Sequence, residues 1–194
     1  MIAGIVLAGG RATRMGGGDK PLLNLHGRPL LAHVIERLTP QVAALAISAN
    51  GDPARFAAFG LPVLADPLPG QPGPLVGVLA GLDWAAGLGA RALLCVAGDT
   101  PFLPADLVAR LAAPGGLAMA ASPGADGSLR PHPTVALWPL TLRAPLRAAL
   151  DQGERRVGRW ALEQGAVIVP FDGTPDPFLN LNTPQDLARA EALR

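Results

Sequence analysis

Of the sixteen lysines and arginines in this chain only one is a lysine, Lys20. It closes the stretch LAGGRATRMGGGDKP (Leu7 to Pro21), which carries Gly9, Gly10, Gly16, Gly17 and Gly18. A compact ammonium on a flexible stem suits a phosphate in a tight loop, whereas a guanidinium is a wide planar fork. Glycines let backbone N–H groups approach an anion closely and permit positive-φ turns. Loop and lysine together have the chemistry of a phosphate cradle, to which Arg14 can add a bidentate contact. Asp99, in Gly98-Asp99-Thr100-Pro101, ends an apolar run. A hard cation such as Mg²⁺ takes one or two carboxylates together with phosphate and water oxygens, so Asp99 is the candidate metal ligand. Asp66 ends another apolar run, where it could bind nucleotide or assist the metal, and Asn50 ends a third. Asn180 and Asn182 alternate in FLNLN, so an extended backbone turns both side chains the same way. Glu154-Arg155-Arg156 supplies positive charge suited to an anionic ligand.

Several other chemistries are excluded by what the sequence lacks. A Walker A loop requires Gly-Lys followed by Ser or Thr, but here the loop ends Gly18-Asp19-Lys20-Pro21. The dinucleotide pattern G-x-G-x-x-G does not follow the first apolar run. His26, His33 and His132 lack metal-type spacing with one another or with Cys95. No nucleophile elbow stands out. The formal charge is +1 with no basic block, which argues against nucleic-acid and membrane surfaces. The lone Cys95 excludes an intramolecular disulfide framework and suits a reducing, cytoplasmic location. MIAGIVLAGG has no charged region before its apolar residues, so a strand is expected there and not a signal peptide.

These residues need elements to position them. At 194 residues and 49% apolar content the chain can bury a substantial core. Short apolar runs bounded by turn residues predict strands at Ile2–Leu7, Val42–Ala49, Leu61–Ala65 and Ala92–Ala97. Further strands are expected near Leu117–Ser122, Thr134–Trp138 and Val167–Pro170. Helical patterns lie between them: from Arg28-Pro29 through Arg37, from Asp52-Pro53, over Leu75–Ala86, Pro104–Leu111, Leu140–Leu150 and Val157–Glu163, and from Pro184. This alternation predicts an α/β fold, a single doubly wound, mostly parallel sheet with helices on both faces. The expected organisation is one domain over residues 1–194, with a regular first half (1–111) and a less regular second half (112–194). In such sheets ligands bind outside the carboxyl ends of the strands, and Lys20, Asn50, Asp66 and Asp99 all follow strands.

The stretch LAGGRATRMGGGDK resembles the signature of the nucleotidyltransferases that activate sugars and cofactors. Among these the chain is most similar to the molybdenum cofactor guanylyltransferases. The resemblance runs through Asp66 and Pro72-Gly73-Pro74-Leu75-Val76-Gly77, GDTPF (Gly98–Phe102), HPTVALW (His132–Trp138), Gly153-Glu154-Arg155-Arg156-Val157 and FLNLNTPQDL (Phe178–Leu187). It implies a Rossmann-like nucleotidyltransferase fold and an enzyme that uses Mg²⁺ to transfer GMP from GTP to molybdopterin or Mo-molybdopterin, with release of pyrophosphate. It implies a nucleotide-binding half over 1–111 and an acceptor-binding half over 112–194, with a nucleotide site at Leu7, Ala8, Gly9, Gly10, Lys20, Asn50, Asp66 and Asp99 and with Asn50 near base or ribose. Lys20, Arg14 and Asp99 are then catalytic, and Asn180, Asn182, Arg155 and Arg156 belong to the acceptor site. Molybdenum-insertion proteins and molybdoenzyme chaperones are the protein partners such a role would bring.

The alternatives are a cytidylyltransferase acting on the same acceptor and a non-catalytic nucleotide-binding protein in cofactor delivery. Cytidylyl relatives tend to carry LAAG where this chain has Leu7-Ala8-Gly9-Gly10, and Asn182-Thr183-Pro184 also favours guanine. Retention of Lys20, Asp66 and Asp99 together speaks for catalysis.

Overall fold

Seven strands of one sheet carry the molecule, as seen in a computed structural model that describes residues 1–9, 19–68, 70, 73–124 and 126–192. In chain order the strands are β1 (Ile2–Leu7), β2 (Asn24–Leu25), β3 (Arg28–Pro29), β4 (Ala44–Ser48), β5 (Val63–Leu64), β6 (Ala92–Ala97), β7 (Ala118–Pro123), β8 (Leu129–Pro139) and β9 (Val167–Pro170). The main sheet has the order β5-β4-β1-β6-β8-β7-β9, while β2 and β3 form a separate hairpin. β5, β4, β1 and β6 are mutually parallel. β8 runs antiparallel to both neighbours, and β9 is again parallel to β7.

Helices α1 (Leu30–Leu38) and α3 (Leu107–Ala112) cover one face, and α2 (Pro74–Gly87), α4 (Arg143–Asp151) and α5 (Val157–Glu163) the other. The strands sort their side chains with period two, as buried strands must. Val6, Leu94 and Val96 join the α1/α3 core, whereas Ile5, Leu93 and Cys95 join the α2 core. Two glycines one turn apart let α2 lie directly on the sheet. A Cβ at Gly77 would stand 2.7 Å from Leu7 Cδ2, and one at Gly81 2.7 Å from Leu93 Cδ2. Burial pushes the Cys95 thiol far above its ordinary range, which makes it a packing residue without reactivity.

The doubly wound, mostly parallel sheet agrees with the sequence pattern, and three local differences have physical causes. Arg28-Pro29 does not open a helix. His26 and Gly27 adopt positive φ (50° and 74°) and turn the chain into the β2–β3 hairpin, so Pro29 caps α1 from an extended conformation. α3 begins at Leu107, not at Pro104, because the Gln41 side chain accepts the Val108 N–H and donates to the Pro104 carbonyl. β8 starts five residues before Thr134 despite Pro131 and Pro133. The register between β7 and β8 shifts between Met119 and Ala121, and that irregularity accommodates prolines that a regular ladder would reject.

Candidate active site

The strand register aligns the site. Leu7 pairs with Ser48 on one side and Ala97 on the other, and Ser48 pairs with Leu64. The residues that leave these four strand ends therefore emerge from one row at the carboxyl edge. They surround a cavity of about 480 Å³, a size suited to a small ligand. Leu7, Gly9, Lys20, Asn50, Asp66 and Asp99 all line it. Ala8 is fully buried beside it, and its N–H donates to the Ser48 carbonyl at 2.8 Å. Gly10 and Arg14 lie outside the described residues.

Lys20 is the centre of the arrangement. Its ammonium donates to the Asp99 carboxylate and to Asn182 Oδ1, so residues far apart in sequence meet on one nitrogen. The side chains of Lys20 and Asp99 are only 11% and 16% exposed, which makes this a sheltered ion pair. Gly98 allows the approach. A Cβ there would sit 3.1 Å from both Pro21 Cβ and Cγ and 3.2 Å from the Leu7 carbonyl oxygen, so a side chain would wedge Lys20's segment away from β6.

The segment carrying Asn180 and Asn182 is held from both sides. Leu181 is fully buried among Leu25, Leu30 and Ala190, the last on helix α6 (Pro184–Glu191). Its N–H donates to the Asp99 carbonyl at 3.2 Å. With the leucines turned inward, Asn180 lines the cavity and Asn182 reaches Lys20. Thr183 caps α6: its hydroxyl accepts the Asp186 N–H, while the Asp186 carboxylate accepts the N–H groups of Thr183 and Asn182. Those bonds hold the Asp186 carboxyl below the usual carboxylate range, the Thr183 side chain first among them. Because Thr183 does the capping, the Asn182 side chain is left for Lys20.

At the other end of the cavity, both ends of the Asn50 amide engage Asp66. Nδ2 donates to Asp66 Oδ2 at 2.6 Å, and Oδ1 accepts the Asp66 N–H at 2.9 Å. Asn50 thereby fixes the direction of the Asp66 carboxylate.

Arg155 and Arg156 do not line this cavity. The Arg155 guanidinium donates to the carbonyls of Leu150 and Glu154, and Arg156 stands exposed as the cap of α5. Glu154 Oε1 accepts both their N–H groups and its other oxygen meets Arg159, which lowers its carboxyl to about 2, the Arg156 N–H contributing most.

Sequence reasoning reached His132 only through the HPT segment, and it gave no site role to Thr134, Arg55 or the partners of His132. Thr134 enters the cavity because β8 shifts register just before Ala136 pairs with Cys95. Arg55, in the short helical stretch after Asp52, contacts Asp19 and Asn50. A buried network joins Ser122 Oγ to His132 Nε2 at 2.7 Å and to Asp176 Oδ2 at 3.0 Å, with Arg130 also on Asp176. Asp176 Oδ1 accepts the Phe178 N–H, so the network anchors the start of the Asn180–Asn182 segment. Its members carry no sequence signal of their own beyond the HPT triplet.

The donor set suits a nucleotide-borne divalent cation and not an all-protein cage. Among the described residues no three metal-ligating side chains cluster. Asp99 has one oxygen on Lys20, and no described donor reaches the other. One such carboxylate beside an open cavity leaves the remaining positions to phosphate and water oxygens.

Comparison with known proteins agrees with this geometry. The MobA-like NTP transferase domain matches residues 4–167. A molybdenum cofactor guanylyltransferase of Rhodobacter capsulatus is 57% identical, over 98% of this chain and 95% of its own length. One from Rhodopseudomonas palustris (strain BisB5) is 54% identical, over 97% of this chain and 92% of its own. The crystal structure of molybdopterin-guanine dinucleotide biosynthesis protein A from Archaeoglobus fulgidus shares the fold. Its TM-score is 0.74 at 24% identity, covering 100% of this chain and 98% of that one. With its carboxyl-edge cavity, its Lys20–Asp99–Asn182 cluster and this level of identity, the chain belongs to the molybdenum cofactor guanylyltransferase family of nucleotidyltransferases.

Proposed function

We propose that this protein transfers GMP from GTP to molybdopterin, or to its molybdenum-loaded form, and releases pyrophosphate. The observation that carries the reading is Lys20 held between Asp99 and Asn182, in a chain more than half identical to proteins named for this activity. Attack of an acceptor phosphate on the α-phosphorus of GTP brings two anions together and expels a third. Positioning and charge neutralisation therefore dominate over covalent catalysis.

Each residue has a role in that scheme. Lys20, with the N–H groups of Gly9 and Gly10, cradles the triphosphate, and Arg14 neutralises charge as pyrophosphate forms. Asp66, directed by Asn50, serves the nucleoside end. Asn180 and Asn182 face the acceptor, while Arg155 and Arg156, outside the cavity, would meet only an anionic group of the acceptor that extends beyond it. Asp99 would hold Mg²⁺, which when bound withdraws charge from the phosphate oxygens. Lys20 would exchange the Asp99 and Asn182 oxygens for phosphate oxygens when the triphosphate binds. Molybdenum-insertion proteins and molybdoenzyme chaperones are the partners that would supply the acceptor and take the product.

The test is incubation with purified molybdopterin, Mg²⁺ and each of GTP, CTP and ATP, scored by pyrophosphate release. GTP should be used in strong preference. Equal initial rates with GTP and CTP would contradict the assignment.

A further inference from the structure

Arg55 touches both ends of the nucleotide cavity without lining it. Its Nε lies 2.6 Å from the carboxylate of Asp19, the residue immediately before Lys20. The Nε–H is not well aligned on that oxygen, so this contact is an ion pair more than a hydrogen bond. Nη2 donates to the Asn50 carbonyl at 2.5 Å and Nη1 to the Asp52 carbonyl at 2.9 Å. The guanidinium also lies over the Phe56 ring, 4.7 Å from its centroid, and Phe56 is fully buried in the core. Gly51, at φ 84°, brings the backbone against this group: a Cβ there would stand 3.1 Å from Nη1. The pair is sheltered, with side chains 27% and 25% exposed.

The contacts form one chain of connection. Lys20 follows Asp19; Asp19 is paired with Arg55; Arg55 holds the Asn50 main chain; the Asn50 side chain directs Asp66. Lysine could not make these contacts, because only a planar guanidinium directs two Nη donors at fixed carbonyls and a third nitrogen at the carboxylate while stacking on a ring. We infer that Arg55 is a positioning residue that sets the spacing between the phosphate end of the cavity at Lys20 and the nucleoside end at Asp66. A ligand that spans both ends gains affinity only if they are held at the right separation. This inference rests on the reading of the cavity as a nucleoside triphosphate site.

The test compares wild type with Arg55→Met, Arg55→Lys, Asp19→Asn and the Arg55→Met/Asp19→Asn double variant. KM for GTP, KM for molybdopterin, kcat and the melting temperature are measured for each. Arg55→Met should raise KM for GTP about tenfold while KM for molybdopterin stays within about twofold. Arg55→Lys should behave like Arg55→Met, and Asp19→Asn should show a smaller effect of the same kind. The double variant should be no worse than Arg55→Met, since both changes remove one contact. A purely structural arginine would instead lower the melting temperature and kcat, or raise both KM values together. Either result, or a wild-type KM for GTP in Arg55→Met, overturns the inference, as does full additivity in the double variant. If the unmodified enzyme prefers another nucleotide, the functional reading fails and the same series is read with that nucleotide. If it binds none, both readings fall.

Discussion

Residues 1–111 and 112–194 reach the same cavity by different means. In the first half, four parallel strands end in one row, so register alone delivers Gly9, Asn50, Asp66 and Asp99 to a common edge. In the second half, β8 is antiparallel and breaks register, and helix α5 packs beside it with Gly158 against Pro133. Here position is set by side-chain networks: Ser122–His132–Asp176–Arg130, the Glu154 cap and the Thr183–Asp186 capping box. Backbone register is hard to disturb by one substitution, whereas a polar network can be cut at a single atom. The halves should therefore fail differently, the first through loss of chemistry and the second through loss of alignment.

The largest effect tests the chemical side of that contrast. Asp99→Asn keeps shape and an acceptor for Lys20 but removes the charge that would hold the metal. Charge stabilisation worth several kcal/mol corresponds to a loss of about a hundredfold or more in kcat. The melting temperature should move by a few degrees at most, because the asparagine amide oxygen still accepts from the Lys20 ammonium, which also keeps its bond to Asn182. Wild-type turnover in this variant would remove Asp99 from the mechanism.

Next in size is Lys20→Arg. The ammonium sits between Asp99 and Asn182 with 11% of the side chain exposed, too enclosed for a planar fork. Kinetics with GTP should show Lys20→Arg nearly as impaired as Lys20→Ala, by about tenfold or more. Full activity in Lys20→Arg alongside a dead Lys20→Ala would mean that the site needs only positive charge.

The contrast also explains what could be read from sequence. Ile2–Leu7 and Ala92–Ala97 are continuous apolar runs, so the strands and the residues following them were legible, and with them Lys20, Asn50, Asp66 and Asp99. Local signals gave the wrong start for α1, because a hairpin turn at His26-Gly27 claimed Arg28-Pro29. Leu129–Pro133 holds two prolines and reads as loop, yet pairing with β7 makes it strand. Arg55 looks like any arginine on a short helix, since its partner lies in the glycine loop before it. That Asn182, and not Thr183, is released to meet Lys20 depends on a capping box visible in Thr183-Pro184-Gln185-Asp186 but on a contact spanning 162 residues. Short-range order was readable; long-range side-chain pairing was not.

A matched pair of glycine substitutions compares the halves directly. Gly98→Ala pushes a methyl against Pro21 and the Leu7 carbonyl, and Gly158→Ala pushes one to 3.0 Å from Pro133 Cγ, one residue from Thr134. Overpacking of this kind costs about 1–3 kcal/mol of stability, measurable by denaturant titration. Steady-state kinetics should separate them, with KM for GTP rising several-fold in Gly98→Ala and KM for molybdopterin in Gly158→Ala. Identical kinetic profiles would show that the halves do not divide the substrates.

The smallest effect concerns the buried network of the second half. His132 is 9% exposed, and burial holds its imidazole below the ordinary histidine range; Asp176 opposes that shift and Arg130 adds to it. The neutral ring is therefore the folded form, bonded to Ser122. The unfolded chain takes up the proton more readily, so stability is complete above about pH 6.5 and declines as pH falls from there toward the lower folded value. The ceiling for one proton is about 1.4 kcal/mol per pH unit. Carboxylates such as Glu154, already held near 2, do not titrate in this window. Melting temperatures at pH 7.5 and 5.5 should therefore fall more for the unmodified protein than for His132→Asn, which keeps a hydrogen-bonding side chain but cannot titrate. KM for molybdopterin should rise in the unmodified protein only once pH falls below that lowered folded value, because protonating His132 in the folded protein disturbs Ser122 and Asp176 and with them the anchor at Phe178. Parallel curves for the two proteins would mean that the network merely fills space, and alignment in the second half would then have to come from its helix caps alone.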